Sequence, residues 1–384
     1  MTKVSIPRNS RFPTFFVIVV CCILYCPSAA FQVDSTSGRK KISYLAITST
    51  SLPAENMKWT SLDTLRETVD PSNLCSANEN HAKLAKDTEY ADAVLNAWKE
   101  DNMSLKDSFT SMGSSFVYHE SKDGVNLNGY LVAPFSLIGS GDGDNMKKGI
   151  QLPAIIFFHT GAGPQDVFLR WQADKLVREL NCVVLIADII SDAEGYAWSD
   201  RERYNAARRN VLAVTEECGD VARWKLRRSI AAAIHHLKEL DFVQNHNIAA
   251  LGWCMGGHPI LELGLMQRGI KALVSYHGVF DGVKDYETVD NSMKPGSPNI
   301  EGNLQVLICN GKDDPFVEQD DIDKTKQLLE RNNCKVQILN FDKVRHGFTN
   351  PAQDFNPSDA FAFDEYAAKK SWESTIHLLR RALY

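Results

Sequence analysis

A chain of 384 residues, 44% apolar and 23% charged, can bury a large core and has the composition of a globular protein. Its formal net charge of −6 offers no basic surface for nucleic acid and no polybasic hold on a membrane. Length alone allows one large domain or two ordinary ones.

Residues 1–30 read as a secretory signal peptide. Lys3, Arg8 and Arg11 precede the apolar run 12–26, and Pro27-Ser28-Ala29-Ala30 supplies small residues for cleavage. The run is short for a bilayer span of about 20 residues, so no stable membrane anchor is expected. Residues 31–51 are rich in Ser, Thr and Lys, with Asp34 as their only acid, a transit-like composition. A signal peptide followed by Ala-Phe and such a stretch resembles the bipartite plastid presequences of algae with secondary plastids. Secretion, or an endomembrane lumen, with a disordered N-terminus is the alternative. Of nine cysteines, Cys21, Cys22 and Cys26 fall in the presequence. The others (Cys75, Cys182, Cys218, Cys254, Cys309 and Cys334) show neither metal spacing nor a disulfide framework, and no metal is expected.

Residues 52–112 read as a polar N-terminal extension carrying an amphipathic helix over 80–106, with Leu84, Ala91, Leu95 and Trp98 on its apolar side. The main domain is expected over 113–384. Segments 115–120 and 126–134 form a hairpin through Lys122-Asp123-Gly124, and 138–149 reads as a loop. Apolar runs at 154–159, 183–188, 248–252, 272–276, 305–310 and 336–341 then alternate with helical patterns at 165–180, 220–240, 255–266, 318–332 and 361–383. That alternation predicts α/β architecture, a mostly parallel sheet with helices on both faces and catalytic groups at the carboxyl ends of its strands.

The segment Leu251-Gly252-Trp253-Cys254-Met255-Gly256-Gly257 follows one such run and opens a helix. Glycines two before and two after a nucleophile match the strand-to-helix elbow of α/β-hydrolases, with cysteine in place of serine. A helix N-terminus favours the thiolate. In chain order such folds place nucleophile, acid, then histidine. The acid lies in Gly311-Lys312-Asp313-Asp314-Pro315-Phe316-Val317, where Asp314 is better placed than Asp313. The histidine is His346, in the loop after the last strand. The oxyanion hole would use the backbone N–H of Met255 and that of Gly161, in His159-Thr160-Gly161-Ala162-Gly163; His159 is a further base candidate.

Gly252 to Gly257, Gly311 to Val317, Ser275-Tyr276-His277-Gly278-Val279-Phe280-Asp281 and His346-Gly347-Phe348-Thr349-Asn350-Pro351 together resemble the dienelactone hydrolase family. The resemblance covers roughly 116–383. It implies a single α/β-hydrolase domain, a Cys-His-Asp triad on Cys254, His346 and Asp314, no cofactor, and a small ester or lactone as substrate. Two positions depart from the pattern. Thr160 stands where family members acting on dienelactone carry a glutamate, and Asn350 where they carry a substrate-binding arginine. A second substrate arginine corresponds to Arg201 or Arg203. These departures argue against dienelactone itself. Trp198, with Tyr196 and Tyr204, is a candidate wall for a planar ring, and His277 is a candidate substrate contact. A thiol redox role for Cys254 and a catalytically silent small-molecule binder are the alternative readings. The oligomeric state is not legible.

Overall fold

The computed structural model describes residues 30–31, 44–45, 57, 59–62, 85–104, 111–119, 126–138, 149–164, 166–190, 201–217, 220–266, 269–286 and 304–384. The targeting reading of 1–51, the 122–124 turn and Trp198 lie outside them, apart from two short strands. The strands are β1 (Ala30–Phe31), β2 (Tyr44–Leu45), β3 (Thr60–Ser61), β4 (Ser111–His119), β5 (Asn126–Pro134), β6 (Leu152–Phe158), β7 (Val183–Ala187), β8 (Thr215–Glu217), β9 (Asp220–Ala222), β10 (Val243–Trp253), β11 (Ala272–Tyr276), β12 (Gln305–Gly311) and β13 (Lys335–Phe341). The helices are α1 (Ala85–Ser104), α2 (Phe135–Ile138), α3 (Val167–Leu180), α4 (Arg201–Leu212), α5 (Trp224–Lys238), α6 (Gly257–Met266), α7 (Gln319–Arg331) and α8 (Glu365–Leu383).

Nine strands make one sheet in the order β13-β12-β11-β10-β6-β7-β5-β4-β3. From β13 to β7 every pairing is parallel, and β5, β4 and β3 extend the sheet antiparallel. The mostly parallel α/β sheet expected from the sequence is therefore present. Its strands are apolar on consecutive residues because both faces are covered. Ile156, Ala250, Leu273 and Ile308 pack with α5, α6 and α7, while Ile155, Phe157, Ala249 and Leu251 pack with α1, α3 and α8.

The chain runs outward from β6 to β7 on one side, then returns to place β10 against the other side of β6. The β6–β10 seam is thus where the strand order reverses, and crevices at such seams receive ligands. Both the loop after β6 and the elbow after β10 open there.

The N-terminal helix α1 packs onto α3 through paired tryptophans. Trp98 Nε1 donates to Asp174 Oδ2 at 2.6 Å and Trp171 Nε1 donates to Asp101 Oδ2 at 2.9 Å. Asp174 is fully buried and also accepts from Arg178 Nε at 2.7 Å. Trp98→Phe keeps the ring but strips one donor from a buried carboxylate. The expected loss is about 1–3 kcal/mol in denaturant unfolding; an unchanged midpoint would show the bond contributes nothing.

Two local differences from the sequence reading have identifiable causes. The helix expected over 220–240 begins at Trp224, because Asp220–Ala222 pairs with Thr215–Glu217 as a small hairpin. The buried Arg223 then fixes the start of the helix, donating to Glu262 Oε1 at 3.1 Å and the Gly282 carbonyl at 2.7 Å. Helix α4 had no sequence signal: Val211 is its one buried residue, so it lacks the apolar stripe that marks a packed helix.

Candidate active site

The elbow is built by close approach of backbone. Cys254 has φ +53°, a left-handed conformation costing a non-glycine residue roughly 1–2 kcal/mol. Such strain concentrates at functional sites. A Cβ on Gly252 would collide with the Gly256 carbonyl, one on Gly256 would lie 2.5 Å from the Phe158 carbonyl oxygen, and one on Gly257 would lie 2.7 Å from the Val279 nitrogen. These glycines let α6 start directly against β6 and β11. Gly256→Ala pushes into backbone that cannot swing aside. It is expected to cost about 1–3 kcal/mol and to displace the Cys254 turn; a wild-type melting curve would contradict the close approach.

Asp314 sits in the turn after β12, with its two oxygens separately engaged. Oδ1 accepts from Phe316 N–H at 2.9 Å, and Oδ2 lies 2.7 Å from His346 Nδ1. Asp314 is buried, whereas its rival Asp313 is exposed. His346 is held from the other side by its own backbone, donating to the Ala360 carbonyl at 3.0 Å and accepting from Ala362 N–H at 3.2 Å. With Nδ1 committed to Asp314, Nε2 is the nitrogen left to meet Cys254, and the two side chains hydrogen-bond. The geometry therefore brings Cys254, His346 and Asp314 together.

Electrostatics follow from that contact. Burial alone would push the Cys254 thiol up, but the charge and hydrogen bond of His346, with the Met255 amide, outweigh it and hold the thiol below its ordinary value. Burial disfavours the His346 imidazolium, yet the Cys254 charge and the Asp314 bond reverse this and raise it to about 10. Both shifts run in the direction that favours a thiolate–imidazolium pair. The other described cysteines behave oppositely: burial pushes Cys309 up to about 12 and Cys334 to about 11, and raises Cys182 as well.

The loop after β6 is fixed from within. Thr160 Oγ1 accepts from Ala162 N–H at 3.1 Å and lies 3.4 Å from Asp166 Oδ2, so that hydroxyl serves the turn. His159 is fully buried, its Nε2 accepting from Ile189 N–H at 3.1 Å and its Nδ1 donating to the Thr160 carbonyl at 2.6 Å. Both ring nitrogens are spent on backbone, and burial keeps the ring below its ordinary pKa. That arrangement suits loop packing rather than a second base.

A cavity of about 460 Å³ opens over Cys254 and His346. Of the residues singled out from sequence, Thr160, Gly161, Arg201, Tyr204, His277 and Asn350 line it. Met255 is buried behind it, and Arg203 is not part of its wall. Asn350 Oδ1 accepts from Ala352 N–H at 3.0 Å, capping the turn that follows. His277 also has a positive φ, +39°, its ring centred 4.8 Å from that of His346 and its Nε2 3.2 Å from Thr349 Oγ1. Burial, then the charge of His346, hold His277 well below its ordinary pKa, so it stands neutral beside the imidazolium. Sequence reasoning missed Arg208, Asp281, Phe316 and Phe361, which also face the cavity. Arg208 Nη2 donates to both Asp281 oxygens, at 2.9 and 2.7 Å, and lies 3.2 Å from Nε2 of the buried His258.

With this geometry in hand, the chain can be placed among known proteins. The family model described as "Dienelactone hydrolase family" matches residues 145–383, more than half of the chain. The chain belongs to the dienelactone hydrolase family. Membership places it among ester and lactone hydrolases, as its motifs imply. An uncharacterized protein of Caenorhabditis elegans is 25% identical over 161 residues, covering 41% of this chain and 94% of that protein. A carboxymethylenebutenolidase homolog of Homo sapiens is 29% identical over 144 residues, 37% of this chain. That match spans 52% of the human protein, about half its length. Among solved structures, a dienelactone hydrolase-like promiscuous phosphotriesterase from metagenomic libraries superposes with a TM-score of 0.55 at 22% identity, over 71% of this chain and 99% of that one. At that identity the likeness speaks to fold. Among the described residues, no helix is long and apolar enough to cross a membrane.

Proposed function

We propose that this family member hydrolyses small carboxylic esters or lactones through a Cys254–His346–Asp314 triad that needs no cofactor. The observation that carries the reading is the pairing of a depressed Cys254 thiol with a His346 ring whose Nδ1 is locked on Asp314. The thiolate attacks the carbonyl carbon, and the electron pair moves onto the carbonyl oxygen. The amides of Met255 and Gly161 stabilise that oxyanion, where fixed donors in a partly dry site act most strongly. The Ala162 amide is turned back on Thr160, which is why Gly161 is assigned the second donor. Collapse forms a thioester on Cys254 and expels the alkoxide, which takes the proton from His346 Nε2. The now neutral ring accepts a proton from water, whose oxygen attacks the thioester and releases the acid. Asp314 keeps the ring oriented through both protonation states.

The pH dependence of iodoacetamide alkylation, read by mass on Cys254, tests the nucleophile. A free cysteine forms thiolate near pH 8.5. Because His346 favours the charged sulfur, the Cys254 midpoint should lie below that of a free cysteine, and His346→Ala should move it to or above the ordinary range. The raised pKa of the other described cysteines keeps them silent below the ordinary range. A Cys254 midpoint that is ordinary in the wild type would overturn the thiolate–imidazolium reading.

A further inference from the structure

Beside the triad, the cavity wall carries aromatic surface, part of it left open to solvent. Phe316, two residues after Asp314, is 45% exposed. Its ring centre stands 5.0 Å from that of His346 and 5.3 Å from that of Phe361, which itself stands 5.3 Å from His346. Across the cavity Tyr204 lies over Gly161, so close that a Cβ there would sit 3.0 Å from the Tyr204 ring. An apolar ring left in water at the mouth of a cleft gains its burial only when a ligand arrives. A cavity of about 460 Å³ falls in the range that takes drug-sized molecules, more than a bare lactone ring fills.

The charges on the same wall cancel or stay wet. Arg208 is held by both oxygens of Asp281, so that pair presents no net charge. Thr160 and Asn350 occupy the two positions at which the sequence departs from a charged side chain of the family pattern, and both accept from backbone amides. Arg201 is exposed at the start of α4, where water and salt screen it. Among the described residues of the wall, the buried cation a substrate carboxylate meets is His346, already paired with Cys254 and Asp314, whereas a ring finds two aromatic neighbours beside that histidine.

We propose, on the hydrolase reading above, that the substrate is an uncharged ester or lactone bearing an aromatic or similar planar apolar group, which packs on Phe316 and Phe361 next to His346. Ring-on-ring packing then sets specificity. The test compares kcat/KM, followed by proton release, for methyl 3-phenylpropionate, benzyl acetate, methyl butyrate and monomethyl succinate. At least one aryl ester should exceed methyl butyrate by on the order of 10-fold, with monomethyl succinate lowest, and Phe316→Ala should shrink the aryl-to-butyrate ratio toward one. Phe316→Leu, which keeps bulk without a ring, should shrink it too, and covers the case in which the alanine variant misfolds. Turnover with no aryl preference, or with succinate preferred, overturns this proposal and leaves the hydrolase reading standing. Calorimetric binding of the same esters to Cys254→Ala separates the two further. Selective binding of the neutral aryl ester, with no turnover by wild type, supports the pocket and sinks the hydrolase reading; no selectivity in either assay sinks the pocket.

Discussion

Cys254→Ala is expected to lower ester turnover by on the order of 10⁴-fold or more, with the thermal transition close to wild type. Deleting one sulfur from a half-buried position leaves the strained turn in place, since alanine tolerates φ +53° no worse than cysteine does. What disappears is the atom proposed to form the thioester. The proposed oxyanion donors are backbone amides and remain, so the residual rate should still exceed that in water by the roughly 10³–10⁴ that such donors and binding supply. Steady-state kinetics beside a melting curve checks both halves. Full turnover in a folded variant would remove Cys254 from the reaction, and peroxide reacting faster than any ester in the wild type would favour the redox alternative.

His346→Ala should cost as much, and should also change how the remaining rate depends on pH. In the wild type, the reactive pair exists above the lowered thiol pKa and below the imidazolium pKa of about 10. Turnover should therefore fall on the acid side as the sulfur protonates, and near pH 10 as the ring loses the proton the leaving alkoxide needs. Without the ring, burial is the dominant influence left on the thiol and drives its pKa up, so residual activity should rise steadily through the alkaline range. Asp314→Asn should lose less, because the Asp314 charge itself opposes thiolate formation, partly offsetting its role in orienting the ring. A bell-shaped profile retained in His346→Ala would place the base elsewhere.

The catalytic candidates were legible because each follows an unbroken apolar run, and a parallel sheet aligns the ends of those runs. Cys254 follows β10 directly, Asp314 follows β12 and His346 follows β13. The glycines at 252, 256 and 257 carried the elbow, since their spacing matches the backbone approaches seen around Cys254. The choice of Asp314 over Asp313 matches burial, one carboxylate facing His346 and the other facing water. The cavity wall was less legible. Arg208 and Asp281 are 73 residues apart, and nothing local announces their contact. Arg201 and Arg203 could not be told apart without knowing that they begin a helix, where residues two apart point in different directions. Phe316 lay inside a quoted motif but reads as filler until its exposure is seen.

The most direct check on a thiol acyl-transfer enzyme is an acid-quenched reaction of the full chain with phenyl acetate, followed by intact and peptide mass. An acetyl adduct is expected on the Cys254 peptide within the first turnover, absent from Cys254→Ala and persisting longer when His346 is replaced. Ester turnover with no adduct on Cys254, or an adduct that survives its replacement, would contradict thiol acyl transfer.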